Sequence, residues 1–171
     1  MIGNDLIYLP DWPRRCGERL ERYRSRIFTE AEIRLIEAAE DPYKQEAKIW
    51  AGKEALYKLR QRAGGARLFR PKSLEILTSD ERSLTGIDFH LFWYQWGAYL
   101  ECRAVHRGLS IDELKASLRT GTASRGSFKS CGKTYRIYRG AKAPWLLCGA
   151  SKYPLSISHD GALSSFCWLS R

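Results

Sequence analysis

The stretch Trp50-Ala-Gly-Lys-Glu-Ala-Leu-Tyr-Lys58 lies within the longest helix that the sequence predicts. An acidic N-cap followed by proline, Asp41-Pro42, is a helix start signal. The Gly64-Gly65 pair is a stop signal. The predicted helix therefore runs from 42 to about 62.

One stripe of this helix mixes charged and aromatic side chains. Glu54 and Lys58 are four residues apart and share a helix face, where an ordinary surface pair would contribute about 0.3–0.5 kcal/mol. Trp50 and Tyr57 fall near the same stripe. Gly52 costs about 1 kcal/mol relative to alanine inside a helix, which indicates that something approaches the helix closely there.

Patterns on both sides of this helix predict an α+β domain. Residues 2–9 are apolar and β-branched, and two prolines follow them, so a short strand is expected. Thr29-Glu-Ala-Glu32 has the form of a capping box and predicts a helix to about residue 40. Beyond residue 71 the hydrophobic period changes to two, which predicts strands at 74–76, 87–93, 99–105, 135–139, 155–159 and 163–169.

Two further segments lie between these predicted strands. Ser110-Ile-Asp-Glu113 is another capping-box pattern, and it predicts a short helix that ends at Gly121. Residues 121–133 are rich in Gly, Ser, Thr and Lys, and this composition predicts a mobile basic loop.

Positive charge is concentrated in the last third of the chain. The whole sequence has 29 Lys and Arg against 19 Asp and Glu. Residues 1–113 are nearly balanced, whereas residues 114–171 contain ten basic side chains and a single acidic one, Asp160. Such a field attracts nucleic acid, acidic proteins or phosphorylated small molecules, and it is also compatible with a merely soluble basic surface.

Composition excludes several classes of protein. No apolar run approaches the roughly 18 residues of a membrane-spanning helix. No secretory signal is recognisable, so reduced thiols and a cytoplasmic location are expected. No CxxC pair is present, which argues against a zinc site. The cysteines are Cys16, Cys102, Cys131, Cys148 and Cys167, of which the second and the last lie in apolar stretches and are expected in the core.

Two places could carry chemistry besides the helix. Asp5 is a carboxylate inside an apolar strand, so it should have a cation partner. Such an ion pair could also be purely structural. Ser156 and Ser158 share one strand face, and His159 at the strand end is placed to face a ligand or to have a structural role. No GxSxG elbow is present, which disfavours a hydrolase triad.

Four motifs occur along the chain in an order that resembles that of the 4′-phosphopantetheinyl transferase superfamily. They are Gly3-Asn-Asp5, Phe28-Thr-Glu-Ala-Glu32, the Trp50 to Lys58 stretch and Ser156-Ile-Ser-His159. With the Asp motif first and the Ser-x-Ser-His motif last, the chain is similar to the short holo-acyl-carrier-protein synthase type in a divergent bacterial branch. The resemblance implies a single domain over 1–171, an antiparallel sheet packed on a long helix, and an unplaced insertion at about 106–145.

The resemblance also implies an activity. It is the magnesium-dependent transfer of 4′-phosphopantetheine from coenzyme A to a serine hydroxyl of an apo acyl or peptidyl carrier protein, releasing 3′,5′-ADP. Asp5 and Glu54 match the metal-binding carboxylates, and Lys58 matches the lysine that contacts the pyrophosphate. Ser158 and His159 match residues near the 3′-phosphate and the adenine. Glu54, or a water on the metal, would take the serine proton, so Glu54 and Lys58 are the expected catalytic residues.

Departures from the family pattern keep other functions open. Tyr8 stands where relatives usually have an acidic residue, and Ile49 where the short type commonly has arginine. A catalytically weak relative that binds coenzyme A or an acidic partner is therefore an alternative. A nucleic-acid binder is less favoured, because basic charge and interleaved aromatics occur here without a known motif. The short type forms trimers, which leaves an oligomer open. Carrier proteins of this system are acidic, so the basic third would attract them.

Overall fold

The computed structural model describes all residues except 17–19, 66, 78–81, 86–88, 110, 122–125, 141–142 and 171. The helices are α1 (Trp12–Cys16), α2 (Leu20–Ile27), α3 (Glu30–Glu37) and α4 (Pro42–Arg62). The first strands are β1 (Ile2–Tyr8), β2 (Arg82–Thr85), β3 (Phe89–Trp96), β4 (Tyr99–His106) and β5 (Leu114–Thr120). The others are β6 (Gly126–Ser130), β7 (Lys133–Arg139), β8 (Pro144–Cys148), β9 (Ser151–Asp160) and β10 (Leu163–Leu169).

The strands form two antiparallel sheets. One has the order β1-β4-β3-β2, and the other has the order β5-β10-β9-β8-β7-β6. The long helix α4 packs on one face of the first sheet and supplies much of the first hydrophobic core. The predicted α+β class, with antiparallel sheet on a long helix, is confirmed.

Helix α4 begins and ends where the sequence predicts. The Asp41 side chain accepts a hydrogen bond from the backbone N–H of Lys44 at 3.0 Å, and Pro42 occupies the first turn. After the helix, Gly64 has a φ of +87°, a left-handed conformation that favours glycine. The predicted capping box at Thr29 is also present, although α3 ends at Glu37, earlier than expected.

Two glycines set how closely other elements approach α4. A Cβ atom on Gly3 would lie 2.0 Å from the carbonyl oxygen of Ala55, so β1 crosses the helix in backbone contact. A Cβ atom on Gly52 would lie 2.4 Å from Cδ1 of Ile76, which confirms the predicted close approach. Asp5, two residues beyond Gly3, therefore lies on the helix side of β1.

Side chains of β9 join the two sheets along β1. Three backbone N–H groups of β1 donate to three β9 side chains: Asn4 to Ser156 Oγ (3.0 Å), Leu6 to Ser158 Oγ (3.0 Å) and Tyr8 to Asp160 Oδ2 (2.6 Å). These groups point away from β4, so the side chains replace a neighbouring strand. The first and the ninth strands are thereby held in a defined register.

The predicted helix after Ser110 is wrong. Residues 111–113 form only a 3₁₀ turn, Leu114–Thr120 is strand β5, and Ser110 itself lies outside the described residues. Strand β5 pairs with β10 along its whole length. A ladder to a distant strand therefore outweighs the local capping signal.

Two other predictions of local structure need correction. Much of the predicted loop at 121–133 forms β6, while 122–125 lies outside the described residues. The predicted strand at 74–76 is irregular, because side chains satisfy its backbone instead: Ile76 N–H donates to Glu32 Oε1, and Lys53 Nζ donates to the Leu74 carbonyl.

The second sheet curls around its own hydrophobic core. Phe128 on β6 contacts Phe166 and Trp168 on β10, with ring centroids 5.5 and 5.8 Å apart. Arg119 on β5 donates to the carbonyl of Lys129 on β6 at 3.0 Å. Strands β5 to β7 from the 106–145 segment thus share this sheet with the last two strands.

Both cysteines expected in the core, Cys102 and Cys167, are fully buried. Within the described part of the chain, no helix combines the length and the apolar character that crossing a membrane requires.

Candidate active site

Strand β1, helix α4 and strand β9 bring three predicted site residues together. Lys58 Nζ lies 2.8 Å from Oδ1 of Asp5 and 2.9 Å from the carbonyl oxygen of Asn4. Ser158 Oγ donates to the same Asp5 oxygen at 2.9 Å, while it accepts the N–H of Leu6. Asp5 is only 8% exposed, and Lys58 is the cation partner that its burial requires.

Glu54 lies one helical turn before Lys58 and is half-buried. Burial raises the pKa of its carboxyl group, the negative charge of Asp5 raises it further, and Lys58 partly opposes both effects. Asp5 therefore lies within electrostatic range of Glu54, and its partner Lys58 is one helical turn from Glu54. Among the described residues, no hydrogen bond or ion pair engages the Glu54 carboxylate.

This donor set fits a magnesium ion. Mg²⁺ commonly takes one or two carboxylates from the protein and completes its shell with phosphate oxygens and water. Asp5 and Glu54 provide two such carboxylates, and a cation between them would relieve the repulsion that raises the pKa of Glu54. In the described ranges, no cluster of three or more acidic, His or Cys side chains forms an all-protein metal cage.

A cationic pocket opens beside Lys58, the partner of Asp5. It has a volume of about 230 Å³, and its lining includes Lys58, Arg62 and Arg139. Arg62 has no carboxylate partner among the residues that the structure describes, and burial lowers the pKa of its guanidinium to about 10. A desolvated cation without a counter-ion favours an anionic ligand.

The sequence analysis missed both arginines of this pocket. Glu54, Lys58 and Arg62 follow one another at intervals of four residues, so helical spacing could have placed Arg62 on the same face. Arg139 joins the pocket from β7, and no local signal reveals that contact.

Comparison with known families shows to which superfamily the chain belongs. Residues 1–122 match the family model described as the 4′-phosphopantetheinyl transferase superfamily. The chain belongs to this superfamily. It is therefore a transferase of that kind, and the resemblance to this superfamily is confirmed. Searches of curated proteins and of solved structures found no significant match.

The match to the phosphopantetheinyl transferase superfamily covers only part of the site. It includes Asp5, Glu54 and Lys58 but ends before β9. Ser158 reaches Asp5 through the contacts described above. His159 is exposed and lies on the opposite face of β9, because neighbouring strand residues alternate in direction. The structure does not bring His159 to the carboxylates.

The departures from the superfamily pattern occupy structural positions. The Tyr8 ring packs on Tyr99, with centroids 4.9 Å apart, and Ile49 is buried in the first core. Lys53, directly before Glu54, is fully buried and bonds to Glu32 Oε1 at 2.7 Å. Burial lowers the pKa of Lys53, although Glu32 opposes that effect. Lys53 therefore has a structural role, whereas the adjacent Glu54 is a candidate site residue.

Proposed function

We propose that this transferase moves the 4′-phosphopantetheine group from coenzyme A to a serine hydroxyl of an apo carrier protein, with magnesium, in the cytoplasm. The leaving group is 3′,5′-ADP, and the type is that of a holo-acyl-carrier-protein synthase. One observation carries the proposal: Asp5 and Glu54, from distant parts of the chain, lie within electrostatic range of each other, and Lys58, which bonds to Asp5, also lines a cationic pocket.

Asp5 and Glu54 would hold the magnesium ion. When bound, the ion supplies positive charge that stabilises the diphosphate oxygens during transfer. Ser158 and Lys58 fix the orientation of Asp5 through their bonds to Oδ1. Among the described residues, no hydrogen bond or ion pair engages Oδ2 of Asp5, so this oxygen would bind the cation.

The cationic pocket would bind the phosphates of coenzyme A. Lys58 contacts Asp5 and also lines the pocket, so it connects the carboxylates with the anion site. Arg62 and Arg139 add two positive charges at the same place. Coenzyme A carries a diphosphate and a 3′-phosphate, which would supply the anions that the half-buried Arg62 lacks.

Glu54 is the group that would accept the serine proton. Burial and the charge of Asp5 raise the pKa of this carboxyl group in the metal-free protein, and bound magnesium would oppose the second effect, so that a water on the metal is the alternative proton acceptor. The serine oxygen forms a bond to the β-phosphorus of coenzyme A as the bond to the bridging oxygen breaks. The charge that develops on the departing 3′,5′-ADP faces Lys58 and Arg62.

Mass spectrometry of an apo carrier protein, incubated with coenzyme A and MgCl₂, tests the proposal. We expect the mass of one phosphopantetheine group to be added by the wild type and by Glu37→Ala, which removes an exposed carboxylate on α3. Glu54→Ala should add none, and EDTA should abolish the reaction reversibly. Normal labelling by Glu54→Ala would refute the assigned role of this carboxylate.

A second function is favoured by the small ligand set. With Tyr8 in place of an acid, the site has two carboxylates, which suits a relative that binds coenzyme A without transferring it. Calorimetry distinguishes the two functions. Coenzyme A binding together with no transfer to any acyl or peptidyl carrier in a panel would support binding alone.

A further inference from the structure

Strands β7, β8 and β9 present a face on which aromatic and basic side chains lie in rows. Opposed residues in neighbouring antiparallel strands point to the same side of a sheet. The β7–β9 face comprises two such rows: Arg136, Leu147 and Lys152 in one, and Tyr138, Trp145 and Pro154 in the other. These residues lie beyond the 1–122 range that defines the superfamily match.

The β7–β9 face is open and positively charged. Arg136 and Lys152 are exposed, and 53% of the Tyr138 surface is accessible. Lys152 Nζ lies 4.3 Å from the ring centroid of Trp145, a cation–π distance that keeps the charge beside an aromatic surface. The sequence contains no acidic residue between Glu113 and Asp160, so this segment offers no carboxylate to neutralise the face.

The face continues into the candidate active site along one strand. Lys152, Pro154, Ser156 and Ser158 alternate along β9 and therefore share a side of it. A strand rises about 3.3 Å per residue, so Lys152 lies roughly 20 Å from Ser158. A separate partner domain of about 80–100 residues, with a radius of gyration of about 12–13 Å, would therefore be large enough to contact both Lys152 and the site at Ser158.

We propose that the β7–β9 face is the docking surface for the carrier protein, a statement that rests on the proposed function. An acidic surface of the carrier contacts Arg136 and Lys152, and Tyr138 and Trp145 provide the apolar part of the interface. Charge complementarity selects this partner, because a basic face without carboxylates attracts an acidic surface and aligns it. The carrier serine then reaches Glu54 from the end of β9.

Charge reversal tests the docking surface. The variant Arg136→Glu/Lys152→Glu is compared with Lys44→Glu, which reverses an exposed charge in the first turn of α4. Circular dichroism and thermal melting verify that both are folded. The readouts are the KM for apo carrier, the KM for coenzyme A, and anisotropy of fluorescein-labelled apo acyl carrier protein at low and high salt.

We expect the double reversal to raise the carrier KM and the carrier Kd about tenfold, with the KM for coenzyme A unchanged. Tyr138→Ala should weaken carrier binding without flattening its salt dependence. Lys44→Glu should behave as the wild type. Equal carrier affinity in the double reversal and in Lys44→Glu overturns the docking surface, as does the absence of carrier binding by the wild type.

Failure of the proposed function gives a different pattern. If the wild type binds labelled carrier without transferring the group, and the double reversal loses that binding, the docking surface is supported and the transfer reaction is excluded. Aromatic and basic side chains on a sheet also suit single-stranded nucleic acid. Retention of a labelled single-stranded RNA that the double reversal alone abolishes, with carrier binding intact, overturns the carrier proposal.

Discussion

Gly3 of β1 lies directly against the carbonyl oxygen of Ala55 in α4. A Cβ atom built on Gly3 would lie only 2.0 Å from that oxygen. A strand and a helix come this close only where one residue lacks a side chain. The contact sets the height of β1 above α4. It thereby positions Asp5 against Lys58, so the glycine is part of what assembles the site.

Gly3→Ala should therefore destabilise the protein and weaken its activity. The new methyl group meets backbone atoms that no side-chain rotation can move, and overpacking of this kind costs about 1–3 kcal/mol or more. Urea denaturation measures the loss. Gly108→Ala is the matched control, because the nearest atom to its Cβ would lie at an ordinary 3.7 Å. Equal unfolding midpoints for the two variants would contradict the contact.

Glu54→Gln should stabilise the metal-free protein at neutral pH. Below the ordinary pKa of glutamate, Glu54 is protonated in both folded and unfolded chains and has no effect. As the pH rises, the unfolded chain ionises first, because burial and Asp5 raise the pKa of the folded state, so stability falls. As the pH is raised from about 4 to 8, the urea midpoint of Glu54→Gln should rise increasingly above that of the wild type. The exposed Glu37→Gln should follow the wild type throughout.

The two lysines of the helical motif should respond differently to substitution. Lys53→Met leaves Glu32 buried without its cation, a change that typically costs about 3–5 kcal/mol. Lys58 is partly exposed, so Lys58→Met should lower the unfolding midpoint less and should mainly raise the Kd for coenzyme A. Chemical denaturation and calorimetry measure the two effects. The reverse order of stability losses would contradict these roles.

Arg62→Met should weaken coenzyme A binding without destabilising the fold. Burial lowers the pKa of Arg62 to about 10, so at neutral pH the folded protein holds an unfavourable charge that methionine removes. Loss of a charged phosphate contact should raise the Kd about tenfold. Arg60→Met, an exposed arginine of the same helix, is the control. A destabilised Arg62→Met that binds coenzyme A normally would remove this arginine from the anion site.

Ser158→Ala and His159→Ala test the last motif one residue at a time. Without Ser158 Oγ, the Leu6 N–H loses its acceptor and Asp5 loses a donor, so about 1–3 kcal/mol of stability should be lost. His159→Ala should stay within about 0.5 kcal/mol of the wild type, because the side chain is exposed. The resemblance predicts that it weakens coenzyme A binding. Calorimetry showing unchanged affinity would exclude His159 from the site.

Local signals in the sequence were sufficient for the bounds of α4. The Asp41 cap, Pro42 and the glycine after residue 62 act within a few residues of each other, and α4 has the predicted bounds. Strand β5 shows the limit of such signals. Its backbone hydrogen bonds go to β10, which follows more than 40 residues later, and no pattern within residues 110–121 encodes that partner.

The candidate site was predictable to the extent that family motifs mark it. Asp5, Glu54, Lys58 and Ser158 were selected as motif residues, and the structure brings them together. Arg139 could not be selected, since its place beside Lys58 depends on how β7 folds back toward α4. The different roles of Lys53 and Glu54 could not be predicted from the sequence either, because they depend on the burial of Lys53 in the folded protein.

The bond between Ser158 and Asp5 joins residues 153 positions apart. A ribosome adds roughly 5–20 residues per second, so the Asp5 segment waits on the order of 8–30 s for its partner to be synthesised. During that interval β1 has no side chains to occupy its outer N–H groups. A stalled or prematurely released chain would therefore expose a strand edge to aggregation, and catalytic competence would arrive only with the final strands.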